Sequence, residues 1–83
     1  MTPTEILDGL DGLAQSDQGK RTIATVRHYA TMTLEALTAE VEYLYEWEMY
    51  DVVAAIYAVR RGDASAALVA VRARLKALQT VSA

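Results

Sequence analysis

The residues of this chain that could do acid–base or metal chemistry are a cluster of carboxylates and a single histidine. The carboxylates are Glu40, Glu42, Glu46 and Glu48, and the histidine is His28. A di-iron helical bundle needs Glu-x-x-His pairs, and no acidic residue stands at that spacing from His28. The chain has no cysteine, which excludes thiolate ligands, disulfides and cysteine nucleophiles. We therefore expect no metal site, no cofactor and no catalytic residue.

Other motifs that would indicate catalysis are absent from the sequence. It contains neither a glycine-rich phosphate loop nor a Gly-x-Ser-x-Gly nucleophile motif. The Arg-Gly-Asp triplet at 61–63 is interpreted as part of a turn between two helices. His28 is interpreted as a surface or boundary histidine. The chain is predicted not to be an enzyme and to have no small-molecule substrate.

Aromatic residues are interleaved with the four glutamates. In a continuous helix Tyr45 and Met49 would lie on the buried stripe, while the other aromatics would point away from it, because successive residues turn by about 100°. Tyrosine and tryptophan are enriched where proteins meet. The alternatives are a core filled by aromatics, since phenylalanine is absent, and a surface used for self-association. The predicted partner-binding residues are Tyr43, Trp47, Tyr50 and Tyr57, with Glu40, Glu42, Glu46 and Glu48.

Charge is segregated along the chain, whose net charge is −3. Between Tyr29 and Val59 there is no lysine or arginine, whereas Arg60 to Lys76 contains five basic residues and one acid. The pattern allows an electrostatic docking face for a basic partner protein. It argues against nucleic acid, since phosphate contacts need a concentrated basic face. The alternative is that the charges are solvated or pair within the chain, with Glu48 and Asp51 close to basic residues of the last helix.

The region from Lys20 to Arg61 contains no glycine or proline, so a very long helix is possible. Apolar residues recur there with a mean spacing of 3.6, the period of a straight helix. We predict one central helix over about 18–61, with a break between Glu46 and Asp51 as the alternative. Such a helix would be ~63 Å long, too long for a compact domain, and would require a partner. The stripe is Ile23, Val26, Ala30, Leu34, Leu37, Val41, Tyr45, Met49, Val52, Ile56 and Val59.

Local signals mark the ends of the other helices. Thr2-Pro3-Thr4-Glu5 is typical of a helix start with a capping box. Gly62 and Asp63 predict a tight link into a C-terminal helix, forming an antiparallel hairpin. In an antiparallel hairpin that turns at this link, the residue numbers of two facing positions should add up to about 125. This places Asp51 opposite Arg74.

The hairpin is similar in local pattern to one tetratricopeptide helical hairpin. The similarity rests on the Gly62-Asp63 turn followed by Ala67 and Leu68, and it covers about 20 residues of the chain. No second copy occurs at the 34-residue period that such a solenoid requires. The similarity therefore indicates shared hairpin geometry.

Together these observations predict a single all-α domain over 1–83, a small bundle of three or four helices. The predicted function is a cytoplasmic protein-interaction module, such as an inhibitor, antiactivator or adaptor. No stretch of the sequence is long and apolar enough for a membrane span. We expect a homodimer, because the long helix and the outward-facing aromatics both need cover. The alternative functions are a purely structural helical dimer and an acidic mimic of nucleic acid.

Overall fold

Five α-helices and no β-strand make up the described part of the chain. The computed structural model describes the backbone of residues 1–82 and the side chains of residues 1–79. The all-α class is confirmed, but the prediction of three or four helices is wrong. Ala83, the last residue of the predicted domain, lies outside the described residues. The helices are α1 (Pro3–Asp11), α2 (Asp17–Ala30), α3 (Leu34–Glu46), α4 (Tyr50–Arg60) and α5 (Ala64–Ser82).

Helix α4 lies at the centre of the bundle and contacts each of the other four helices. A helix that is apolar on most of its faces must be surrounded by other elements. Its closest packing is with α5, whereas α3 lies at the periphery and packs mainly against α4. Six of the eleven residues of α4 are buried: Val52, Val53, Ala55, Ile56, Ala58 and Val59.

The starts of α1 and α2 follow the local sequence signals. The Thr2 hydroxyl accepts a hydrogen bond from the Glu5 backbone N–H, and the Glu5 carboxylate accepts one from the Thr2 N–H, both at 3.2 Å. This confirms the predicted capping box, with Pro3 in the first turn. The hydrogen bond from the Thr2 backbone N–H, followed by that with the Thr2 side chain, lowers the pKa of Glu5. Ser16 caps α2 by accepting from the Gly19 N–H at 3.0 Å.

The prediction of one long helix over 18–61 is wrong. Three helices replace it, separated by links at 31–33 and 47–49. The second link falls within the Glu46–Asp51 stretch given as the alternative, but the first was not anticipated. Folding back in this way gives a molecule of 37 × 29 × 18 Å with a radius of gyration of 11.9 Å. None of the helices is therefore long enough to require a partner for cover.

The unanticipated break after α2 is held by side chains that bond to the backbone of the link. The Thr33 hydroxyl accepts from the Ala36 N–H at 3.2 Å and so caps α3. The Arg60 guanidinium reaches across from the end of α4 and donates to the carbonyl oxygens of Ala30, at 3.0 Å, and Met32, at 2.6 Å. These bonds satisfy carbonyls that the end of a helix leaves unpaired, and the positive charge suits a helix C-terminus.

The predicted hairpin link at Gly62 and Asp63 is confirmed. Gly62 has φ 77°, the left-handed conformation that favours glycine just past a helix end. The Asp63 N–H donates to the Ala58 carbonyl at 2.9 Å, and the Asp63 carboxylate accepts from the Ala66 N–H at 3.0 Å. One link therefore both ends α4 and caps α5.

The predicted pairing of Asp51 with Arg74 is also confirmed. The Arg74 Nη2 and Nε atoms donate to the same Asp51 oxygen at 2.7 and 2.9 Å, and both side chains are largely shielded from solvent. Glu48, which was expected near the same basic residues, forms no ion pair among the described residues. Asp51 lies inside α4, and its charge is matched across the hairpin, whereas Glu48 lies in the preceding link.

Replacing Gly62 by valine should lower the free energy of unfolding by ~1–2 kcal/mol, because a β-branched residue disfavours a positive φ. A Cβ there would also lie 3.1 Å from the Met1 carbonyl oxygen. Gly9 is the matched control, since a Cβ at that position meets nothing within 4 Å. Chemical denaturation should therefore show a loss for Gly62→Val and a change within ~0.5 kcal/mol for Gly9→Val. Equal denaturation midpoints for the Gly62 and Gly9 variants would contradict this account.

Candidate protein-binding site

The buried face of α3 determines which of its side chains point outward. Leu37, Val41 and Leu44 are buried, at spacings of four and three residues, and they form the side of α3 that joins the core. A single apolar stripe of this kind leaves the remaining faces of a peripheral helix open to solvent. The glutamates and aromatics of the sequence cluster occupy those open faces.

Four aromatic residues of the cluster lie on the surface. Tyr43, Tyr45, Trp47 and Tyr50 are between 48% and 65% exposed, so they do not form the aromatic core considered from the sequence. Tyr57 differs, because it is half-buried and packs against the core. Among the predicted aromatic site residues, Tyr43 and Trp47 contact each other and Tyr50 contacts Tyr45, while Tyr57 is less exposed than these rings.

The predicted stripe fails at two positions, Leu34 and Tyr45, which are both exposed. Leu37 and Val41 keep their predicted inward positions, but two successive steps of four residues turn the stripe by about 80°, which carries Tyr45 off the buried face. Leu44 takes the inward position that was assigned to Tyr45. Tyr45 is therefore a surface residue that the sequence argument missed; the spacing of Leu37, Val41 and Leu44 was the signal that could have identified it.

The four predicted glutamates share this surface with the aromatics. All are exposed, and none forms an ion pair within the described residues. Some acids outside this stretch are paired, since Arg27 contacts Asp8 and Asp11, at 3.3 and 2.6 Å. Asp17 and Glu35 also form no ion pair with the described residues, so the four glutamates are a local group of such acids on α3 and its link to α4. We call this surface the acidic-aromatic corner: Glu40, Glu42, Tyr43, Tyr45, Glu46, Trp47, Glu48 and Tyr50.

The aromatic rings of the acidic-aromatic corner form two pairs. The ring centroids of Tyr43 and Trp47 are 6.1 Å apart, with 57° between the ring planes. Those of Tyr45 and Tyr50 are 5.7 Å apart, with 45° between the planes. Tilted pairs at such distances are favourable contacts. The rings are therefore held in place by each other while much of their surface stays open.

The link between α3 and α4 contains a strained residue. The Met49 N–H donates to the Leu44 carbonyl and the Glu48 N–H to the Tyr45 carbonyl, both at 3.0 Å, which is a Schellman helix end. This motif places Glu48 at φ 57°, where glycine is favoured. The same motif ends α4 with a glycine at the equivalent position, Gly62. A charged residue is thus held where glycine would be more stable.

Replacing Glu48 by glycine should raise the free energy of unfolding by ~1 kcal/mol, because glycine adopts a positive φ without the steric cost that a Cβ brings. Glu48→Ala is the control, since it removes the carboxylate but keeps the Cβ. Thermal or chemical unfolding should show stabilisation for the glycine variant alone. If alanine stabilises as much as glycine, the cost at this position comes from charge repulsion and not from the backbone.

The other candidate groups do not assemble into a site. His28 is exposed, and its ring makes an edge contact with Tyr29 at a centroid distance of 5.2 Å. In the described residues no group of three or more histidine, cysteine or acidic side chains is placed to hold a metal ion. Nor does any described helix have the length and apolar character needed to cross a membrane.

Comparison of the chain with protein-family models, with curated proteins and with solved structures found no match.

Proposed function

We propose that this protein is a small interaction module that docks on a basic surface of a larger protein through the acidic-aromatic corner. The proposal is carried by one observation: four exposed aromatics, and four exposed glutamates without an ion pair among the described residues, are gathered on the outer faces of α3, its link to α4 and the start of α4. The strained backbone of Glu48 supports it, because residues in costly conformations cluster at functional sites. A role as inhibitor, antiactivator or adaptor would need nothing beyond such docking.

The extent of the exposed aromatic surface indicates how much the charges must contribute. An aromatic side chain can bury 150–250 Å², so four half-exposed ones offer roughly 400 Å². At about 25 cal/mol per Å², covering them gains ~10 kcal/mol. Association itself costs ~4–15 kcal/mol. The aromatics alone therefore do not give a tight complex, and we expect the carboxylates to make binding dependent on salt.

A symmetric dimer through the acidic-aromatic corner is less favourable than a complex with a basic protein. In a two-fold dimer the same patch meets itself, so the glutamates of both copies would face one another. Like charges brought together at an interface cost several kcal/mol. The homodimer expected from the sequence would therefore need another surface, and we favour the heterologous partner.

The proposal is tested by removing charge from the acidic-aromatic corner. The partner is captured on immobilised protein from an extract of the source cells, and its binding kinetics are then measured with purified components. Glu42→Gln combined with Glu46→Gln should slow association and flatten its salt dependence, with little change in the dissociation rate. The reason is that exposed rim charges act mainly on the encounter of the two proteins.

The matched control removes two charges outside the acidic-aromatic corner. Asp8→Asn with Asp17→Asn gives the same net charge and should leave association close to that of the unmodified protein, while Arg27 keeps its 2.6 Å contact with Asp11. If both double variants slow association equally, net charge and not the acidic-aromatic corner attracts the partner. Light scattering distinguishes the structural alternative: a tight dimer that captures no further protein would contradict the proposed function. Competition with DNA for the captured protein would indicate the nucleic-acid mimic.

A further inference from the structure

The arrangement of the acidic-aromatic corner indicates which basic side chain it suits. Each tilted ring pair has a carboxylate one helical turn earlier on α3. Glu40, Tyr43 and Trp47 are spaced by three and four residues, which puts them on one face. Glu42 stands three residues before Tyr45, the first ring of the second pair. The turn of about 100° per residue places Tyr43 and Tyr45 on opposite flanks of α3. Two units therefore occur, one on each flank, each with a carboxylate and an exposed ring pair.

Both components of each unit are available to a ligand. The glutamates form no ion pair with the described residues, and α3 itself contains no lysine or arginine. The rings are tilted with respect to each other and not stacked in parallel, and roughly half or more of each side chain is exposed. An incoming cation can thus reach a carboxylate and a ring face in the same unit.

We propose that the partner presents arginine side chains to the acidic-aromatic corner, an inference that rests on the function proposed above. A guanidinium is planar and weakly hydrated, so it stacks on an aromatic face while its N–H groups bond to a carboxylate in a bidentate manner. A lysine ammonium is a compact, strongly hydrated charge that cannot stack in this way. The combination of ring pair and carboxylate therefore selects arginine over lysine at equal charge.

Octa-arginine and octa-lysine peptides provide the probes, because they match in length and charge. Trp47 is the only tryptophan and lies in the acidic-aromatic corner, so its emission reports binding directly. Titration of the unmodified protein should give a dissociation constant about 10-fold lower for octa-arginine, since two stacking units contribute. In the variant Tyr43→Ala with Tyr45→Ala, the ratio of the two constants should fall towards one, while octa-lysine binding changes little.

Two further variants separate the contributions of charge and aromatic surface. Glu40→Gln with Glu42→Gln should weaken the binding of both peptides. Trp47→Ala, followed by calorimetry because it removes the fluorophore, should lower the preference for arginine as the tyrosine variant does. Circular dichroism checks that each variant keeps its helices, and the Trp47 variant provides a second test if the tyrosine variant does not fold.

The outcomes distinguish the inference from the function on which it rests. Equal affinity for the two peptides would overturn the arginine preference and leave docking on a basic partner intact. A preference that persists in both aromatic variants would also overturn it, since the selecting groups would then lie elsewhere. Absence of binding by either peptide would contradict the inference and the electrostatic part of the proposed function together.

Discussion

Replacing Trp47 by alanine should weaken partner binding by ~2 kcal/mol or more, roughly 30-fold, while the fold persists. Large aromatic anchors dominate protein interfaces. Trp47 is the most exposed aromatic of the acidic-aromatic corner at 65%, so it contributes little to the core. Its backbone N–H ends α3 by donating to the Tyr43 carbonyl, and alanine retains that group. Titration with the captured partner measures the affinity, and thermal unfolding measures the stability.

Val69→Ala is the control for this prediction. Val69 is an exposed apolar residue of α5, 70% exposed, and lies outside the acidic-aromatic corner. Its truncation should leave affinity unchanged, and the stability of both variants should stay within ~0.5 kcal/mol of the unmodified protein. A Trp47→Ala protein that unfolds would mean that the ring supports the bundle. Unchanged binding would remove the acidic-aromatic corner as the docking surface.

Helix ends that depend on near neighbours could be predicted from the sequence. The capping box of Thr2 and Glu5 is formed by residues three positions apart, and the reversal at Gly62 follows from glycine's tolerance of positive φ. Once the turn was placed, helix geometry alone brought Asp51 opposite Arg74. Each of these features is determined within a turn or a hairpin.

The breaks in the predicted long helix could not be read in the same way. The first depends on Arg60, which is 28 and 30 residues from the carbonyls that it binds. The second places Glu48 at a positive φ without glycine, so the usual sequence signal was absent. Thr33, which caps α3, is a local signal at the first break that the sequence argument did not use. The contribution of Arg60 and the packing around the apolar α4 are long-range and have no local pattern.

The composition of the candidate site was predictable, but its boundary was not. The sequence alone identified the mixture of glutamates with Tyr43, Trp47 and Tyr50 as a surface cluster. Tyr45 was assigned to the core and Tyr57 to the surface, whereas Tyr45 is exposed and Tyr57 is half-buried against the core. Exposure of a residue near a helix end depends on where the helix stops, which the continuous-helix prediction had wrong. Whether the cluster binds a partner stays a prediction.

Replacing Arg60 by alanine should lower the free energy of unfolding by ~2–3 kcal/mol, because hydrogen bonds from a charged donor contribute ~1.5–3 kcal/mol. The half-buried guanidinium bonds to Ala30 and Met32, and its loss would leave these carbonyls without their donor. The favourable interaction of its charge with the C-terminus of α2 would be lost as well. Chemical denaturation measures the change, and hydrogen exchange at 31–37 should accelerate.

Arg61→Ala is the matched control, because the adjacent arginine is 57% exposed and its contact with Asp63 is 3.6 Å long. Such surface pairs contribute little, so the variant should stay within ~0.5 kcal/mol of the unmodified protein. Equal stability of the two variants would contradict the role assigned to Arg60. If the prediction holds, Arg60 at the end of α4 stabilises the link that leads into α3. Thr33 then caps the first turn of α3, and the packing of Leu37, Val41 and Leu44 against the core determines which side chains of α3 face outward.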